Sequence, residues 1–418
     1  MNQNLEQEIV NKQENPAELE QLYQSNKEAF KSAFLSVYAS LKDQSIAEVW
    51  HQRLTYQSSQ SQFGEKKDWL MLGVFAIFAA FLMQLPRIFT WDHEFYYTRN
   101  IGFFAFPLIA SYFASKYNFN TKPYKISLVI IAISAIYINL LPNVPTSNTL
   151  ILASIHLPIF IWTLVGFNFV GDDWKSSAKR MDFLRYNGNL LIMTALLMLA
   201  GGIFTALTLG LFKVIDLPIE KWYFDYFVLS AIPSVPILAT FLIQNNPQLV
   251  SKISPIIAKI FTPLVFITLL GFLIALIFSG KDPYNDRDFL MVFNVILLGV
   301  MALILFSISE ASKEKISPFQ LYTLTGLAIL AIINNAIALS AIGFRLFEFG
   351  FTPNRIAVLG SNILIMINLV LVGKSLIQIC QSKKEVSDLE KSLTSLFEFY
   401  VLWTIFVIFV LPFVFQFR

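Results

Sequence analysis

The stretch NNAIALSAIGFRLFEFGFTPNRIAVLGSNILIMIN, residues 334–368, gathers most of the side chains able to do chemistry in an apolar neighbourhood. It holds the carboxamides Asn334, Asn335, Asn362 and Asn368 and a charged corner of Arg345, Glu348 and Arg355. Two further amides, Asn139 and Asn168, and one imidazole, His156, also fall inside apolar runs. A carboxamide at membrane depth needs partners, and two outcomes are open. One is hydrogen bonding between helices, worth about 0.6 to 2 kcal/mol; the other is a polar cavity for a solute. His156 stands next but one to Pro158 and reads either as a packed side chain near a kink or as a titrating or ligand-contacting group. In the corner, Thr352 is a helix cap and Pro353 the first helical residue. Arg355 thereby falls in the first turn, where the positive end of the helix disfavours a cation. Something must compensate it: Glu348, an acidic outer loop or a lipid phosphate. Arg345 ends its own helix with favourable dipole sense and can pair with Glu348; for either arginine, snorkelling to the interface is the plainer alternative.

Other chemistry finds little support. There is no HExxH, GxSxG, Walker A or GxGxxG pattern, and His51, His93 and His156 lie in different segments. DPYNDRD offers Asp282, Asn285, Asp286 and Asp288 as oxygen ligands, but without the EF-hand pattern a solvated turn is the better reading. In WDHE, the adjacent Asp92, His93 and Glu94 are poorly placed to converge on one metal. No cofactor or metal is expected, and the chain is not expected to be an enzyme. The weakest alternative is a transferase acting on lipid-linked substrates at the outer face, with Glu348, Asp92 or Asp286 as base. No apolar run carries Asp, Glu, Lys or Arg near its middle, which argues against a carboxylate proton relay.

The elements that must position these residues follow from composition. Of 418 residues, 56% are hydrophobic and only 14% charged, and mean hydropathy is +0.60; this is the balance of an integral membrane protein. A net charge of +3 gives no reason to expect nucleic acid as a partner, and the 41 Phe suit lipid contact and helix packing. Cys380 is the only cysteine, so no internal disulfide can form. The N-terminal stretch has no signal-peptide pattern, and the first apolar helix is expected to direct insertion. Eleven apolar runs are expected to make a polytopic all-α bundle over 69–418: 69–89, 101–117, 126–141, 149–170, 189–212, 222–243, 260–279, 289–309, 319–343, 355–379 and 397–417. The second and third are short for ~30 Å of hydrocarbon. Proline recurs in these runs at Pro107, Pro158, Pro233, Pro236 and Pro263, and the pair in AIPSVPIL, Pro233 and Pro236, is the best candidate for a broken helix. With eleven spans and the N-terminus inside, Lys and Arg number 22 on the cytoplasmic side against 9 outside, in line with the positive-inside rule.

Residues 1–68 form a polar preface. Helix starts at Asn15, Ser25 and Ser45, each followed three residues later by Glu, predict three short helices, and 55–68 reads as a linker. About 50 residues bury little core alone, so docking onto the membrane part is expected.

GFTPNRIAVLGSNILIMINLVL, with NPAELEQLYQSNKEAFKSAF and FYYTRNIGFFAFPLIASYFA, resembles the bacterial multi-pass proteins of domain-of-unknown-function family 4153. The resemblance implies a bacterial inner-membrane protein and adds weight to Thr352, Asn354 and Arg355, but brings no activity. Two functions stay open. One is a transporter-like protein whose polar cavity is lined by Asn334, Asn335, Asn362 and Asn368 near Arg355. The other is a scaffold or sensor in which residues 1–60 bind a cytoplasmic protein.

Overall fold

A computed structural model describes residues 2–13, 15–41, 45–55, 66–116, 119–214, 216–246, 253–278, 282, 284–311, 317–383 and 387–418. Regular structure among them is entirely helical, and the chain divides into two compact units, Met1–Gly64 and Glu65–Arg418.

The first unit holds four helices, α1 (Asn2–Asn11), α2 (Pro16–Ser25), α3 (Lys27–Leu41) and α4 (Ser45–Thr55). The three expected helices are present; α1, which lacks a cap signal, is additional. Asn15 caps α2 by accepting from the Ala17 N–H. The start of α3 is capped by Asn26 rather than Ser25: Asn26 Oδ1 accepts from Ala29 N–H, while Ser25 donates back to Leu22 O and closes α2. This unit has a core of its own, built on Ile9, Leu19, Phe30, Phe34, Trp50 and Leu54. Aromatic side chains supply it, because large rings bury the most area per residue in so short a chain. Arg53 closes one edge, paired with Glu20 at 2.8 Å and lying over the rings of Tyr23 and Trp50.

The second unit runs α5 (Lys66–Phe89), α6 (His93–Asn100), α7 (Phe106–Ser115), α8 (Lys122–Leu140), α9 (Asn148–Val170) and α10 (Ser177–Val214). It continues with α11 (Glu220–Ala231), α12 (Ser234–Asn245), α13 (Ile253–Phe278), α14 (Arg287–Ala311), α15 (Pro318–Phe349) and α16 (Pro353–Cys380). Last come α17 (Ser387–Thr394), α18 (Phe397–Phe409) and α19 (Leu411–Val414). Among the described residues, 9 helices are long and apolar enough to cross a membrane. Their outward residues are apolar too, such as Leu140, Leu211 and Ile277. A soluble protein would not leave such faces in water; this is an integral membrane protein in contact with the bilayer.

Three of the eleven expected spans depart from a single straight helix. The 397–417 run breaks at Val410 between α18 and α19, and its apolar stretch runs from Asp388 to Phe409. The 222–243 run bends by 41° between α11 and α12, at the proline pair, after a π-helical stretch Tyr223–Val228. The 101–117 run does not form one spanning helix. A 3-10 turn at Ile101–Phe103 separates α6 from α7, and the 10 residues of α7 reach about 15 Å. The pieces nonetheless run together along one neighbour. Tyr96 and Tyr97 at the α6 end donate to Leu82 O and Met83 O toward the far end of α5. At the other extremity Lys116 pairs with Asp68, at the start of α5, at 3.1 Å. The broken segment therefore returns the chain along α5 from end to end. Gly102 lets the broken segment pack closely on α9, since a Cβ there would lie 2.8 Å from the Cα of Pro158. The Asp68–Lys116 end is called the near end below, and the opposite one the far end.

Candidate functional site

At the far end, α15 terminates at Gly350, whose φ of 75° is the left-handed conformation glycine tolerates. Thr352 then caps α16, its hydroxyl accepting from Arg355 N–H at 3.4 Å, with Pro353 in the first turn. The Arg355 guanidinium donates to Phe349 O at 2.8 Å and Gly350 O at 2.6 Å, and lies 5.6 Å from the Phe349 ring centroid. Its compensation is thus the carbonyl end of the preceding helix, the negative end of that dipole. Glu348 does not supply it: the side chain is exposed, and no ion pair among the described residues includes it. Arg345 likewise turns away from Glu348 and donates to Asn285 O at 3.3 Å. Asn354 reaches Asn148, at the start of α9, at 2.8 Å.

The same use of arginine recurs. Arg99, only 7% exposed, donates to Ile138 O, Leu141 O and Pro142 O at the end of α8, at 2.7 to 2.9 Å. Beside it Asn100 and Asn139 form a reciprocal amide pair. At the near end Arg180 donates to Thr394 O, the last residue of α17, and to Glu398. Arg185 donates to Ser309 O, close to the end of α14, and pairs with Asp182 and Glu390. Four guanidinium groups thus satisfy carbonyls that helices leave without internal donors.

Inside the spans the amides form an interhelical chain. Asn335 Nδ2 donates to the Asn362 backbone carbonyl at 3.1 Å, Asn362 Nδ2 to Asn294 Oδ1 at 2.6 Å, and Asn294 Nδ2 to Leu290 O at 2.7 Å. The chain links α15, α16 and α14. Asn334 and Asn335 are fully buried, and the Oδ1 atom of each lacks any hydrogen-bond partner. Asn334 Nδ2 bonds within its own helix, to Leu330 O. Asn368 faces another neighbour, α17, donating to Leu393 O at 3.4 Å with its own Oδ1 unpartnered. Arg355 is seven residues before Asn362, about 10 Å along the helix, and its guanidinium is directed at Phe349 O and Gly350 O. The structure brings together Asn335 and Asn362 and adds Asn294; it places Asn368, Asn354 and Arg355 elsewhere. Asn294 meets the same criterion of an amide inside an apolar run and was legible on that ground.

The remaining candidates have local partners. His156 Nδ1 contacts Leu152 O at 2.8 Å within α9, and Asn168 Nδ2 donates to Ser127 and to Leu164 O, each at 2.8 Å, with its own Oδ1 buried and unpartnered. Asp92 caps α6, accepting from Phe95 N–H. Asp282 accepts from Asn285 Nδ2 and from Tyr284 N–H, at 2.6 and 2.9 Å. The Asn285 amide first, and then the Tyr284 N–H, hold its carboxyl below the usual carboxylate range. The Asp288 side chain lies outside the described residues.

At the near end α17 is tucked into the bundle rather than lying on its surface. Leu389 and Leu393 are fully buried in one core with Met181, Ile308, Leu324 and Val372, and Ser392 contacts Ser375 of α16 at 2.8 Å.

No protein-family model, curated protein or solved structure matches the chain.

Proposed function

We propose that this integral membrane protein is transporter-like, with its polar solute site at the Asn294–Asn335–Asn362 chain between α14, α15 and α16. One observation carries the reading: the fully buried Oδ1 of Asn335 has no partner within an apolar span. A buried acceptor left unpaired costs about 1–3 kcal/mol, a cost that a hydrogen-bond-donating or cationic solute would offset. The near end is proposed to face the cytoplasm of a bacterial inner membrane, supported by the excess of Lys and Arg in its loops and by the resemblance to family 4153, itself a proposal resting on Gly350–Arg355.

The test is solute-driven swelling of proteoliposomes. At least one small polar solute, from glycerol, urea and methylammonium chloride, is expected to enter faster than into empty vesicles, with the excess lost in Asn335→Leu and Asn362→Leu. Entry no faster than into empty vesicles for every solute would count against the reading.

A second reading, a scaffold or sensor using residues 1–60 to bind a cytoplasmic protein, is supported by the separate core of the first unit. Partner recovery from cells that is unchanged by deletion of residues 1–60 would remove it.

A further inference from the structure

We infer that the ligand of the α14–α16 amide site is a small monovalent cation, an alkali ion or a primary ammonium; the inference rests on the site proposed above.

The argument is one of unspent valence. Each carboxamide already directs its nitrogen at a protein oxygen: Asn335 at Asn362 O, Asn362 at Asn294 Oδ1, Asn294 at Leu290 O and Asn334 at Leu330 O. What remains is acceptor oxygen, with Oδ1 of Asn335 and of its neighbour Asn334 buried and unpartnered. Lone pairs without donors attract cations and hydrogen-bond donors and repel anions. An anionic solute is therefore a poor fit.

Charge count narrows the class further. Residues 289–309, 318–344 and 356–373, which build the site, contain no Asp, Glu, Lys or Arg. Hard divalent cations draw on carboxylates for charge balance, and none is within these segments. Neutral oxygens suffice for a monovalent ion, as in filters where carbonyl groups replace the hydration shell. The nearest arginine on the same helix, Arg355, is engaged with Phe349 O and Gly350 O at the far end. It is separated from Asn362 by about two helical turns.

The experiment is thermal unfolding of the purified full chain at matched ionic strength in the chlorides of sodium, potassium, methylammonium and N-methyl-D-glucamine. A ligand that binds only the folded state raises the midpoint by mass action. At least one of the three small cations is expected to raise it by a few degrees, saturably, relative to the bulky cation. Asn335→Leu and Asn362→Leu should abolish that shift. Asn335→Ser, which keeps an oxygen, should retain part of it, and so guards against a variant that fails to fold. Asn139→Leu, in the separate far-end pair, should retain all of it. Equal midpoints in all four salts would overturn the inference, as would a cation shift that survives in Asn335→Leu. A shift with urea or glycerol that needs Asn335, without any cation shift, would overturn the cation and leave the site itself standing.

Discussion

At Arg355 the guanidinium reaches back across Gly350 to two carbonyls at the end of α15. Charge-assisted bonds of this kind are worth about 1.5–3 kcal/mol. Arg355→Ala is expected to destabilise the folded protein by about 1–3 kcal/mol, read as a lower unfolding midpoint in detergent. Glu348→Gln, on an exposed side chain outside any described ion pair, should change stability by less than about 0.5 kcal/mol. The anomaly of a cation in a first turn was legible in the sequence, but its partner was not. A backbone carbonyl has no residue type, and only the left-handed turn at Gly350 aims two of them at one point. Arg99 was missed for a related reason: it reads as an outer-loop residue, and its burial depends on the end of α8 folding over it. Asp282 yields a pH prediction. Its carboxyl is depressed by the Asn285 amide and the Tyr284 N–H, so the turn is stabilised above the unfolded value and loses that contribution as pH falls through the lower folded value. A side-chain carbon titration should therefore place Asp282 below ordinary aspartates, and Asn285→Ala should move it up.

Among the elements, long apolar runs were read directly as α9, α15 and α16; of the residues that start them, Ser147, Ser317 and Thr352, each bonding the N–H three residues on, only Thr352 was read as a cap from sequence. The break at 101–103 was not legible beyond the shortness of its run, since the close packing that accompanies it, Gly102 against Pro158, is tertiary. Gly102→Ala meets backbone rather than a flexible side-chain tip. It is expected to cost about 1–3 kcal/mol, whereas alanine at Gly73, which faces open space, should be neutral or slightly stabilising in the same unfolding assay. The inward seat of α17 was not legible, because it depends on Arg180 and Arg185 of α10 meeting Thr394 O, Glu398 and Glu390. Arg185→Gln should loosen α17 and increase proteolysis after residues 383–391 in open membranes, with α5–α9 unaffected.

For the whole molecule, the class was legible from composition. The broken α6–α7 segment runs back along α5, as the Lys116–Asp68 pair requires. The two-unit division has its own consequence: residues 1–64, which contain a complete small core, should give a helical spectrum and a cooperative thermal transition when produced alone. The central claim concerns the interior: that the amides of α14–α16 form a polar site open to small solutes rather than a dry contact. The most direct measurement replaces Cys380, the only cysteine, by Ser and places single cysteines at Asn335, Asn362 and, as a dry control, Leu369, which is 1% exposed. Each is then treated with a charged, membrane-impermeant thiol reagent applied to both faces. The account predicts labelling at 335 and 362 and none at 369; cysteines at 335 and 362 as unreactive as the one at 369 would contradict it.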